Sequence, residues 1–217
     1  MAPDLRAYAS QLLCRVLGVI EPAAVDAALE ARLRSIGDGT DAPGLDAGSR
    51  SAALLALADW QLHAGRPAQA QHEVERVLAE GGERSASAAE LAWGRTLLGV
   101  ALMQQGRLAD ALRWFEQADA EHARLLGADH PMTLMFALNR ALALHGLGRG
   151  AEAAAIVQRA EPVLRAAMGD AAPTYIRLLE LKKRLEATDP RPPVPQPRRD
   201  SGATHPPAPP SQELFFV

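Results

Sequence analysis

At 217 residues, with a formal net charge of −3, the chain has the length of one ordinary domain or of a short solenoid with a tail. Apolar residues make up 48% and aromatic residues only 4%, which favours closely packed helices over strands built from β-branched and aromatic side chains. The cations are dispersed arginines plus Lys182 and Lys183, so no nucleic-acid or membrane footprint stands out, and the lone Cys14 cannot close an intramolecular disulfide.

The N-terminus, MAPDLRAYASQLLCRVLGVIEP, lacks a basic n-region and has no apolar run long enough for a signal peptide or a membrane span, so a cytoplasmic location is expected by default. Leu5, Tyr8, Leu12, Leu13, Val16 and Leu17 recur at three- and four-residue steps and predict a helix over 4–17. Gly18 interrupts it. A second helix is expected from Pro22, with Val25, Leu29, Leu33 and Ile36 as its buried stripe, so that residues 1–36 form a helical hairpin. Residues 37–49, GDGTDAPGLDAGS, read as a loop, with Ser49 or Ser51 as the expected cap of the next helix.

From residue 50 an internal repeat takes over, marked by Gly-Arg at 65/66, 106/107 and 148/149, in steps of 41 and 42 residues. A Gly-Arg at 94/95 is out of phase. Seven residues before each in-phase glycine lie Ala58, Gly99 and Ala141, and five after it lie Ala70, Ala111 and Ala153. Nine after it come Val74, Phe115 and Val157, and twelve after it Val77, Ala118 and Ala160. Small residues therefore mark where two helices approach closely, and bulkier ones fill the groove between them.

After Pro173, Tyr175, Leu178, Leu181 and Leu185 form one stripe, opposite Arg177, Glu180, Lys183 and Arg184, which suits a terminal capping helix. From Thr188 the composition changes, with nine of the sixteen prolines between Pro190 and Pro210; residues 188–217 are expected to be a disordered Pro-rich tail. Its apolar end, Leu214 to Val217, reads either as a frayed terminus or as a segment that docks on the chain's own concave face, on a partner or on a second copy of the chain.

The pattern of Gly99, Gly106, Ala111, Phe115, Ala118, Asp129, His130, Pro131 and Thr133, repeated in part by Ala141, Gly148, Ala153, Val157, Ala160 and Pro173, resembles the tetratricopeptide repeat. The repeat here exceeds the usual length of about 34 residues and is similar to the long repeats of kinesin light chains and of many bacterial signalling proteins. Arg140 departs, standing where the family usually carries leucine. The resemblance implies an all-α helical-hairpin solenoid over 50–187 with the Gly-Arg in the turn of each hairpin. It also implies a non-catalytic scaffold that binds a peptide or helix on its concave, first-helix face. The alternative is the regulatory portion of a larger bacterial signalling protein, such as a serine/threonine kinase or a transcription regulator.

By that pattern the inward positions are Leu55, Ala56, Asp59 and Leu62, then Thr96, Leu97, Val100 and Met103, then Leu138, Asn139, Leu142 and His145, with Arg177 and Arg184 added by the capping helix. Asn139 is their one amide, so a clamp for a terminal carboxylate is disfavoured. No phosphate loop, Cys-x-x-Cys pair or His-Glu-x-x-His motif is present, and no cofactor or metal is expected. His122 and His130 lie eight apart with no further ligand at a suitable spacing. Asp129 and Thr133 are expected to satisfy the backbone N–H groups at the next helix start. Trp114 is expected to pack, and Glu73 with Arg76 to be a solvated helix-face pair.

Overall fold

Four helices open on proline at the first helical position, where the missing N–H costs nothing and φ is already set. In the computed structural model, which describes residues 22–40, 46–79 and 86–188, these are α1 (Pro22–Gly37), α3 (Pro67–Ala79), α6 (Pro131–Gly146) and α8 (Pro173–Thr188). Between them lie α2 (Ala47–His63), α4 (Ala88–Gln104), α5 (Leu108–Leu126) and α7 (Gly150–Met168). No strand occurs among the described residues, and the chain is all-α, of the helical-hairpin solenoid class. The helix expected over 4–17 and the tail from Pro190 lie outside the described residues.

The helices divide into two units, one ending at Ala128 and one beginning at Asp129. In the first, α2 pairs with α3 and α4 with α5, α3 packs on α4, α2 also meets α4, and α1 lies against α2. In the second, α6 pairs with α7, and α8 packs on both.

Each in-phase Gly-Arg closes its first helix in the same way. Gly65, Gly106 and Gly148 have φ of 70°, 79° and 76°, a left-handed conformation open to glycine without a Cβ penalty. Their N–H groups donate to the carbonyls of Leu62, Met103 and His145, and the following Arg66, Arg107 and Arg149 N–H groups donate to those of Gln61, Leu102 and Leu144. These two bonds are the Schellman motif, which satisfies carbonyls that a helix end leaves without partners.

The small and large positions interlock as the period implies. Ala58, Ala141, Ala70, Ala111 and Ala153 are wholly buried, and so, within a per cent or two, are Val74, Phe115, Val157, Val77, Ala118 and Ala160. At Gly99 the approach leaves no room for a side chain: a Cβ there would stand 2.4 Å from Phe115 Cε1. The out-of-phase Gly94 lies within α4 against the side chain of Leu55.

Residues 22–37 are joined to the first repeat hairpin. Leu33 packs with Ala53 and Leu57, flanked by Leu29, Ile36, Ala56 and Trp60. Arg66, stacked 4.3 Å over the Trp60 ring, reaches Glu30 with two bonds of 3.1 and 3.0 Å.

Several local expectations are corrected. The cap of α2 is Asp46, whose Oδ1 accepts from Ser49 N at 2.7 Å, rather than Ser49 or Ser51. The cap of α6 is His130, whose Nδ1 accepts from Met132 N at 3.2 Å, rather than Asp129, which turns to Arg159 at 2.9 Å. Glu73 is buried, not solvated, because Arg76 bonds it at 3.0 Å while also reaching Asp38 at 2.9 Å. The stripe of α8 is buried as expected, yet its outer side carries Ile176 and Leu179 at 46% and 40% exposure among the charges.

Candidate functional site: the first-helix faces

In the first unit the inward positions come from α2 and α4, which pack on each other. A helix presents one face every three or four residues, so Asp59 and Leu62 share a face of α2, and Thr96, Leu97, Val100 and Met103 share one of α4. Leu55, Leu97 and Val100 are wholly buried, with Thr96, Leu62 and Met103 nearly so. Packing therefore absorbs much of this face. Asp59 keeps 23% of its side chain exposed. Gln104, which sequence reasoning passed over, bridges the two helices by donating from Nε2 to the Leu62 carbonyl at 3.4 Å.

The Asp59 carboxyl is held above its ordinary range by burial, with only His63 opposing. His63 Nδ1 lies 3.5 Å from Asp59 Oδ1, but its closer contact is the Asp59 carbonyl, at 2.9 Å. Asp59 Oδ1 and Gln104 Oε1 are both buried with no hydrogen-bond partner.

His122 of α5 is buried against α4, its Nε2 3.4 Å from Thr96 Oγ1, while the Thr96 hydroxyl lies 3.2 Å from the Ala92 carbonyl to which it donates. With that proton committed, the Thr96 oxygen accepts from His122 Nε2–H. Burial lowers the His122 pKa, partly offset by the Glu121 charge. Because the unfolded chain then binds the proton more readily, stability is complete above the ordinary imidazole value of about 6.5 and is lost as pH falls through and below it. Urea unfolding at about pH 7.5 and about pH 5.5 should show a larger loss of stability in the wild-type chain than in His122→Gln, which cannot titrate; equal losses would contradict this assignment.

In the second unit the corresponding face is supplied by α6 and α8. Leu138 and Asn139 are wholly buried and Leu142 nearly so, whereas His145, Arg177 and Arg184 are half-buried. The His145 pKa is lowered by burial and, secondarily, by the Arg184 charge. Both units thus carry polar side chains at the margin of a mostly buried apolar face. No group of three or more His, Cys, Asp or Glu side chains suited to a metal ion occurs among the described residues. No described helix is long and apolar enough to cross a membrane.

Trp114 is half-buried at the rim of a cavity of about 340 Å³ lined also by Leu78, Leu98, Leu102, Glu75 and Arg107. It packs at the side of α5 and takes no part in the first-helix face.

Residues 89–166, which run from α4 to α7, match the protein-family model described as tetratricopeptide repeat. No curated protein matches the chain.

Proposed function

Since residues 89–166 are tetratricopeptide repeats, modules that generally mediate protein–protein interaction, we propose that this chain holds a peptide or helical segment of a partner protein on the first-helix faces of its hairpins. The observation that carries the reading is the recurrence of one hairpin, closed each time by the same Gly-Arg turn, in α2/α3, α4/α5 and α6/α7. Within the first unit, where α2 packs on α4, repetition of the hairpin sets equivalent positions of two successive first helices beside one another. An extended or helical segment is the shape of ligand that such a surface can follow. Asp59 in the first unit, and His145, Arg177 and Arg184 in the second, keep some exposure and supply polar contacts that fix orientation, while the buried apolar side chains beneath them hold the helices in place.

The test uses the full chain as bait, with recovered proteins identified by mass spectrometry. Asp59→Lys and His145→Glu change charge at positions that keep some exposure, whereas a charge at the wholly buried Leu97 would report on folding. The reading expects a specific wild-type partner whose recovery falls at least about tenfold with either variant, a loss of about 1.4 kcal/mol. Unchanged recovery by both well-folded variants would refute it.

A further inference from the structure

A terminal solenoid helix has no further repeat to cover its outer side, which needs to be polar to stand in water. On α8 that side is polar only in part. Ile176, Leu179 and Lys183 are all exposed and follow at steps of three and four residues, so they lie on one stripe, with Glu180 to its side. The buried residues Tyr175, Leu178, Leu181 and Leu185 form a separate stripe of the same helix, which packs on α6 and α7. Lys182 is taken up by Glu161 at 2.8 Å, whereas Lys183 has no ion-pair partner among the described residues.

The sequence beyond α8 carries a segment of matching character. From Asp189 to Gln212 the one large apolar residue is Val194; then come Glu213 and four apolar residues, Leu214, Phe215, Phe216 and Val217. In an extended chain Glu213, Phe215 and Val217 share one side at steps of about 6.7 Å. Along α8, Leu179 stands about 6 Å from Lys183, and Ile176 about 4.5 Å farther. One register therefore sets the carboxylate against the free lysine and Phe215 against Leu179, with Val217 in reach of Ile176.

We infer that residues 213–217 lie along the outer face of α8 of their own molecule, Glu213 on Lys183 and Phe215 on Leu179, and cover the apolar part of that face. The inference is independent of the peptide-holding reading above. Lys183 stands about 8 Å before the end of α8 at Thr188. A coil as long as residues 189–212 reaches about 27 Å, and farther where prolines extend it, so the connection is long enough. The contact is small, and a free peptide would hold to it weakly. Tethering selects the occupant, because a short flexible connection keeps its segment at about millimolar effective concentration, far above a second copy at micromolar concentration.

The experiment places the photoreactive p-benzoylphenylalanine at position 215 of the full chain in place of Phe215, irradiates it at low micromolar concentration and maps the cross-links by mass spectrometry. They should join position 215 to residues 176–183 within a single chain. Leu179→Glu should lower their yield at least about threefold, since a charge then faces the aromatic ring. Lys183→Glu should lower it about twofold, the scale of one exposed ion pair, and adding Glu213→Lys to Lys183→Glu should restore it. Both positions are exposed, so circular dichroism of the variants should match the wild type; Ile176→Glu gives the same reading if Leu179→Glu unfolds. Cross-links to another helix or between two chains, or none at all, would overturn the inference. A yield indifferent to the α8 substitutions would do the same.

Discussion

Gly99→Ala lowers the stability of the full chain by about 1–3 kcal/mol, although it exchanges the poorer helix former for the best. On an exposed helix the same substitution would stabilise by about 1 kcal/mol. Here the added Cβ would stand 2.4, 2.6 and 2.9 Å from three atoms of the Phe115 ring, and that ring is 1% exposed. Either the ring leaves its place or α4 and α5 separate. The neighbouring repeats show the remedy, because Ala58 is matched with Val74 and Ala141 with Val157. Gly99→Ala combined with Phe115→Val should therefore recover much of the loss expected from adding the single effects, a positive coupling of about 0.5–3 kcal/mol. Urea unfolding of the four proteins measures it. Simple additivity would mean that the two positions do not share a contact.

Gln61→Leu should act in the opposite direction and raise stability by about 1–3 kcal/mol. Gln61 is 0% exposed, and neither atom of its amide has a hydrogen-bond partner among the described residues. The same place in the next two repeats is held by Leu102 and Leu144, both nearly buried. Leucine would remove the desolvated amide and add apolar contact where the fold already takes leucine twice. A chain of this size should gain several degrees in its unfolding midpoint, read by circular dichroism. A lower midpoint would show that the amide has a role in the core that leucine cannot fill.

Both predictions come from counting along the repeat, and they show which features the sequence carries openly. The Gly-Arg turns were legible because left-handed φ at the helix end selects glycine wherever the hairpin recurs. The Ala58, Gly99 and Ala141 series was legible because close helix approach limits side-chain size at one fixed distance from that turn. Gln61 stood in the same register beside Leu102 and Leu144, so its misfit could have been found by the same count.

Other features depend on contacts that no period records. Glu73 reads as a surface charge until Arg76 and Asp38 are brought beside it, since its burial belongs to α1 and α3 together. Asp46 and His130 cap their helices because the chain turns from extended to helical at those residues, whereas neighbouring Ser49, Asp129 and Thr133 have equally suitable side chains. The inward positions were assigned by register, but how deeply each lies depends on how closely the helices approach. Hence Leu97 and Asn139 lie wholly within the packing while Asp59 and His145 reach its edge.

Hydrogen–deuterium exchange of the full chain, with and without a captured partner, tests the central claim most directly. Binding on the first-helix faces should slow exchange within Ala47–His63, Ala88–Gln104 and Pro131–Gly146 and leave the amides of α3, α5 and α7 little changed. Slowing confined to the second helices, with the first helices unaltered, would contradict it.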